Sequence, residues 1–123
     1  MQKPEHWTQV EDRAEFRPSG VITLQQGVEL AIAALRYTRE QKLRKILVIA
    51  TGVTGFPSPS LADRFFLVRK WAEVAGTTLR VAIVVPPEWM DAQKFGVTVA
   101  RNLGLQLESF TDEAAARAWL NGA

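Results

Sequence analysis

The chain has 123 residues, a length typical of one domain. Hydrophobic residues make up 47% of it and charged residues 23%, the balance of a globular rather than a disordered protein. It contains no cysteine and one histidine, His6, which excludes disulfides, thiolate zinc sites and thiol catalysis. We therefore expect no bound metal, no cofactor and no catalytic residues.

The charge balance argues against a nucleic-acid partner. Fifteen basic and thirteen acidic residues leave a net charge of +2. The pI of about 9.3 reflects how few groups titrate just above neutrality. One basic cluster could meet a phosphate-rich partner or an anionic membrane surface. The simpler interpretation is that it is a helix end followed by a solvated connection. Its members are Arg36, Arg39, Lys42, Arg44 and Lys45.

Neither a signal peptide nor a transmembrane segment is predicted. The first ten residues are polar, with no apolar stretch of the signal-peptide kind. The longest apolar runs, Ile46–Ala50 and Val81–Val85, have five residues each, whereas a spanning helix needs about 20. We expect a cytoplasmic protein.

The first half of the chain predicts two short strands, a helix and a buried strand. The short strands are Trp7–Val10 and Ala14–Arg17. Thr23 and Gln26 have capping-box spacing and begin a helix. Ile46–Ala50 is short, apolar and β-branched, which is typical of a strand buried on both faces. The apolar face predicted for the helix comprises Leu24, Val28, Ala31, Ile32 and Leu35.

A second helix and strand follow the same pattern. Ser58 is predicted as the N-cap, with Pro59 in the first helical position, and Gly76 as the end of the helix. Leu79–Val85 is predicted as the next strand, ended by Pro86 and Pro87. The predicted apolar face of this helix comprises Leu61, Phe65, Val68 and Ala72.

The last part predicts a helix, an edge strand and a final helix. The helix covers Asp91–Asn102, with Phe95 and Val99 inward and Gly104 as its stop. Apolar and polar residues alternate over Leu105–Phe110, which predicts an edge strand. Thr111 is the predicted cap of the final helix. The inward residues of that helix are predicted to be Ala115, Ala116, Trp119 and Leu120.

The resulting order is β(β)αβαβαβα, which predicts one α/β domain with a mostly parallel sheet and helices on its faces. Ile46–Ala50 and Val81–Val85 should be neighbouring parallel strands. Residues 13–123 form the predicted domain, and residues 1–12 are an N-terminal extension or the first short strand.

Over residues 13–121 the chain resembles a STAS-type domain. The residues that carry the resemblance are Phe16, the segment Gly20–Thr23 before the first helix, the strand–loop–helix at 46–70 and the ending 110–120. It is most similar to the SpoIIAA-like branch, small proteins related to anti-sigma-factor antagonists.

The resemblance implies regulation by phosphorylation of a serine at the start of the second helix. Ser58 and Ser60 both lie near that position. The family's acidic residue at the end of the preceding strand is replaced here by Ala50. The resemblance also implies a non-catalytic module that binds a protein partner through the 51–60 loop and the following helix.

The 51–60 loop is a candidate site on its residues alone. It follows a buried strand and begins a helix, the place where parallel α/β proteins bind ligands. Backbone N–H groups and nearby hydroxyls there could hold an anion or a phosphoryl group, although an ordinary turn explains the same residues. The candidate phosphorylation or anion-binding residues are Thr51, Gly52, Thr54, Gly55, Ser58 and Ser60.

The loop after the next strand should lie beside it. The two loops together offer a candidate pocket or partner surface. Its predicted members are Phe56, Glu88, Trp89 and Met90. This leaves small-ligand or lipid binding at the carboxyl edge as an alternative function, with either an apolar or an anionic ligand.

An enzyme is disfavoured by the shortage of histidine and cysteine, and a homodimer through an edge strand or helix face remains open.

Overall fold

The computed structural model describes residues 2–122. Its strands are β1 (Trp7–Val10), β2 (Arg13–Phe16), β3 (Gly20–Val21), β4 (Lys45–Ile49), β5 (Val53–Thr54), β6 (Arg80–Val84) and β7 (Gln106–Phe110). The helices within the described residues are α1 (Leu24–Glu40), α2 (Leu61–Ala75), α3 (Phe95–Asn102) and α4 (Glu113–Leu120). None of them is both long and apolar enough to cross a membrane.

Five strands form one mixed sheet in the order β1–β2–β4–β6–β7. β1 and β2 are the two short strands predicted near the N-terminus, and they pair antiparallel. All other pairings in this sheet are parallel, and β7 lies at the edge as predicted. The prediction of one α/β domain with a mostly parallel sheet is confirmed.

The central strands β4 and β6 are adjacent and parallel, with Ile46 opposite Val81 and Ile49 opposite Val84. Alternate residues of β4 face different cores. Ile46 packs in the larger core, beneath α1, α2 and α3. Ile49 packs in the smaller one, beneath α4. Helices cover both faces, which is why these strands are apolar without alternation.

α1 begins with the predicted capping box. The Thr23 hydroxyl accepts a hydrogen bond from the Gln26 N–H at 3.0 Å, and the Gln26 side chain accepts one from the Thr23 N–H at 2.9 Å. Val28, Ala31 and Leu35 are buried as predicted. Two of the predicted inward residues are only half-buried, and they are Leu24 and Ile32.

The N-cap of α2 is Ser60 rather than Ser58, so that prediction was wrong. Ser60 accepts a hydrogen bond from the Asp63 N–H, and the Asp63 carboxylate accepts one from the Ser60 N–H, both at 3.1 Å. An acidic residue three positions after Ser60 completes a capping box, whereas Leu61, three positions after Ser58, has no oxygen to return the bond. Pro59 therefore precedes the helix.

This assignment predicts different costs for the two serines. Ser60→Ala removes the cap and should lower the free energy of unfolding by about 0.5–2 kcal/mol. Ser58→Ala should change it by less than about 0.5 kcal/mol, because Ser58 is exposed and caps nothing. Urea denaturation of both variants tests the difference. Equal losses would contradict the assignment.

The inward face of α2 also differs from the prediction. Val68, Trp71 and Ala75 are its buried residues. The expected core residues Leu61 and Phe65 are instead 58% and 39% exposed. Val68, Trp71 and Ala75, at spacings of three and four, form the face that meets the sheet, and this burial does not extend to the start of the helix.

α3 begins at Phe95, four residues later than predicted. The Asp91 carboxylate accepts hydrogen bonds from the N–H groups of Phe95 and Gln93, at 2.6 and 3.1 Å, and Lys94 adopts a left-handed backbone with φ of 53°. The intervening residues form a turn. Phe95 and Val99 are half-buried, whereas Val97 and Ala100 make the core contacts.

α4 is capped by Asp112 rather than by Thr111. The Asp112 carboxylate accepts hydrogen bonds from the N–H groups of Ala114 and Ala115 at 3.3 and 3.1 Å. Its negative charge also suits the positive end of the helix dipole. Ala116 and Leu120 are buried as predicted. The other two residues predicted to face inward differ, since Ala115 is exposed and Trp119 half-buried.

Candidate functional site

The loops that follow β4 and β6 meet at the carboxyl edge of the sheet. Because the two strands are parallel, both loops leave from the same edge. The rings of Phe56 and Trp89 contact each other across the two loops, with centroids 5.1 Å apart and planes tilted by 35°. Two of the predicted pocket residues are therefore brought together directly.

Arg64, from the first turn of α2, fastens the two loops to each other. Its Nε donates a hydrogen bond to the carbonyl oxygen of Pro59 at 3.1 Å. Its Nη2 donates to the Ser58 hydroxyl at 3.1 Å and to the carbonyl oxygen of Trp89 at 2.8 Å. One guanidinium thus holds both sides of the site, a role the sequence analysis did not assign to it.

The glycines of the 51–60 loop serve backbone pairing. β5 pairs parallel with β3 in a small second sheet that was not predicted. The Gly52 carbonyl accepts from the Gly20 N–H at 3.1 Å, and the Thr54 carbonyl from the Ile22 N–H at 2.8 Å. Gly55 has φ of 112°, and a Cβ there would collide with the Ile22 carbonyl oxygen. Only glycine lets the backbone at position 55 come this close to the Ile22 backbone.

The Phe56–Trp89 contact borders a cavity of about 140 Å³. Its walls are mainly apolar and come from five strands (β2, β4, β5, β6 and β7), from α1, α2 and α3, and from the loops between them. The lining includes Val28, Val48, Ala50, Val53, Val68, Met90 and Val97. We call this space the edge cavity.

The predicted site residues divide between the edge cavity and the surface. Phe56, Trp89 and Met90 line it, whereas Glu88 is exposed on the 86–90 turn. Within residues 2–122, none of the six residues predicted to bind an anion or phosphoryl group lines the cavity. They are exposed on the surface: Thr51, Gly52, Thr54, Gly55, Ser58 and Ser60. Anion binding or phosphorylation there stays a prediction.

Three charged residues border the edge cavity, and each is already engaged. Arg64 makes the three bonds described above. The backbone N–H groups of Phe95 and Gln93 hold the pKa of Asp91 below its usual value. The Lys94 ammonium lies 3.2 Å from the Glu108 carboxylate.

Three exposed apolar side chains form a patch in the first half of α2. Leu61 is 58%, Phe65 39% and Phe66 61% exposed. The two phenyl rings contact edge to face, with centroids 5.9 Å apart, and the Arg69 guanidinium lies 5.6 Å from the Phe65 centroid. We call these three residues the α2 outer patch. No local sequence signal reveals the patch, because Leu61 and Phe65 lie seven and three positions before the buried Val68 and so fit the same apolar stripe.

Comparison with known proteins adds evidence on the fold alone. No protein-family model matches the chain, and no curated protein sequence matches it. Among solved structures it is similar to the protein TM1081, whose structure was determined by NMR. The two are 14% identical with a TM-score of 0.52, and the alignment covers 100% of this chain and 92% of the other. This likeness agrees with the α/β architecture of the whole chain.

Proposed function

We propose that this protein is a non-catalytic, cytoplasmic regulatory module that binds a protein partner through the α2 outer patch and the 51–60 loop. The observation that carries the proposal is the exposure of Leu61, Phe65 and Phe66 side by side on one helix. Large apolar side chains grouped on a surface mark interaction sites, because water solvates them poorly. Aromatic anchors at a patch centre are typical of binding hot spots.

The patch is presented by a rigid element, which favours binding. The Ser60–Asp63 capping box holds the start of α2, and Val68 and Trp71 anchor its inner face in the core. Binding would therefore cost little ordering entropy. Arg69 and Lys70 are exposed next to the phenyl rings. A partner with an apolar centre and carboxylates around it would complement this surface.

The proposal includes the finer assignment of the domain as STAS-like, of the SpoIIAA-like branch. Its support is the succession of strands and helices and the position of Ser58 and Ser60 just before α2. The Ser58 hydroxyl already accepts a hydrogen bond from Arg64. A phosphoryl group at Ser58 would place a charge of about −2 beside this guanidinium and near the patch, changing what the surface attracts.

The test replaces Phe66, the most exposed aromatic residue of the patch, with aspartate. The wild-type protein is first used to capture the partner from an extract of the cells that naturally produce this chain. The captured partner is then identified and purified. Phe66→Asp should raise the dissociation constant for this partner by at least about 30-fold, which is the loss of affinity expected at a hot spot.

Leu103→Asp is the matched control, since Leu103 is 47% exposed at the end of α3 and outside the patch. It should leave the affinity unchanged. Equal affinities of the wild type and Phe66→Asp would contradict the proposal. If the captured partner is a second copy of this chain, sedimentation analysis will show a dimer that Phe66→Asp dissociates, and the regulatory function would be rejected in favour of self-association.

A further inference from the structure

The edge cavity shares no residue with the α2 outer patch and offers a second site. We infer that it binds a small, uncharged, mainly apolar molecule, about the size of one aromatic ring or a short alkyl chain. The inference does not depend on the protein-interaction function, because none of the three residues of the α2 outer patch lines the cavity.

Volume sets the size of the ligand. The cavity holds about 140 Å³. An apolar cavity of about 150 Å³ stays dry in water and binds benzene or xenon. A two-chain lipid could not be enclosed here, whereas a ring or a chain of about six carbons would fill the space.

The walls set the chemistry of the ligand. Val48, Val53, Val68 and Val97 offer only hydrocarbon, so most of the wall gives water no hydrogen-bond partner. Among the uncharged polar residues of the lining, Ser109 carries a hydroxyl, and the buried Trp71 Nε1 has no hydrogen-bond partner within residues 2–122. A single hydroxyl on a mainly apolar ligand is therefore compatible with the site.

The charged residues at the border are paired with protein groups, as described above. An ionised group inside would lose its hydration against hydrocarbon walls, and at the border it would compete with the Trp89 carbonyl and with Glu108 for Arg64 and Lys94. A neutral molecule avoids both costs.

The position of the cavity also fits a binding site. It lies where loops leave the carboxyl ends of parallel strands, which is where ligands bind in open α/β sheets. Two side chains from separate loops, Phe56 and Trp89, form part of its wall, and the cavity is partly open to solvent. A cavity that is left empty also deprives its lining atoms of dispersion contacts, so a fitting apolar molecule restores them.

A chain-length series measures the cavity directly. Straight-chain primary alcohols from butanol to decanol are titrated into the full-length protein and followed by calorimetry and tryptophan fluorescence, since Trp71 and Trp89 line the cavity. Affinity should rise about fourfold with each added methylene, as each buries a further CH₂. The rise should stop near about six carbons, once the chain fills the space.

Val97→Phe in the cavity and Phe66→Asp in the α2 outer patch test whether the two sites are independent. Val97→Phe places a ring in the cavity and should lower hexanol affinity at least tenfold, whereas the matched Leu103→Phe, on the surface, should not change it. Phe66→Asp should also bind hexanol like the wild type. Circular dichroism verifies that each variant is folded, and Ala50→Leu replaces Val97→Phe as the filling variant if that protein is not.

The alcohol series on the wild-type protein tests the inference even if no filling variant folds. An affinity that keeps rising from hexanol to decanol would indicate binding at an open surface and overturn the inference. So would no binding of any alcohol, or hexanol binding that a folded filling variant does not weaken.

Discussion

Ile49→Ala is expected to lower the free energy of unfolding by about 2–5 kcal/mol. Ile49 ends β4 and is fully buried against Leu47, Ala82, Val84 and the two core residues of α4. The substitution removes three carbon atoms from this smaller core. The sheet on one side and α4 on the other limit relaxation, so a cavity remains and adds to the lost burial.

Urea denaturation with the linear extrapolation gives the free energy. Ile49→Val removes one methylene and should cost only about 0.5–1.5 kcal/mol. Leu30→Ala is the surface control, because Leu30 is 41% exposed on α1, and it should change the value by no more than about 0.5 kcal/mol. A loss below 1 kcal/mol for Ile49→Ala would mean that helices do not close both faces of the sheet.

Glu15→Gln is expected to cost about 3–5 kcal/mol, because it removes one charge of the Arg13–Glu15 pair, which is largely buried. The Glu15 carboxylate lies 2.8 Å from the Arg13 Nε and 3.2 Å from the Arg117 Nε. The side chains of Arg13 and Glu15 are only 9% and 13% exposed. The glutamine would leave the Arg13 guanidinium buried without a counter-charge, and that uncompensated charge accounts for most of the loss.

The network of Glu15 with Arg13 and Arg117 also makes stability depend on pH. Burial raises the pKa of Glu15, but the hydrogen bonds from Arg117 and Arg13 outweigh it and hold the pKa below the usual 4.5. The hydrogen bond from Arg17 likewise lowers the pKa of Glu113. A carboxylate with a lowered pKa stabilises the fold above its unfolded-state pKa. This contribution is lost as the pH falls below about 4.5 and through the folded pKa.

Urea denaturation at pH 7 and pH 3 should therefore show a smaller difference for Glu15→Gln than for the wild type. Glu73→Gln is the control, since Glu73 is exposed on α2 and outside the network, and it should keep the pH dependence of the wild type. If Glu15→Gln also keeps that dependence, Glu15 does not stabilise the fold through its charge.

Several elements could be predicted because a local pattern decides them. The apolar run at 46–50 is too short for a buried helix and lacks the alternation of a half-exposed strand, which leaves only a strand between two layers. The Thr23–Gln26 spacing fixes the start of α1 because both bonds of the capping box lie within four residues.

Other features depend on contacts between distant segments. Leu61 and Phe65 lie seven and three positions before Val68, so helical spacing predicts them on the buried face, and their exposure depends on what packs against the start of α2. The pairing of β3 with β5 joins residues more than thirty positions apart. The edge cavity has contributions from three helices and two loops, and no local pattern encodes an empty volume.

The central claim is that the α2 outer patch contacts a protein partner, and crosslinking in living cells tests it most directly. A photoreactive benzophenone amino acid is introduced at position 66, or at position 103 as control, both exposed in the free protein. Irradiation should yield one discrete adduct with a second, different protein from position 66 and none from position 103. The absence of an adduct from position 66, or the same adduct from both positions, would contradict the claim.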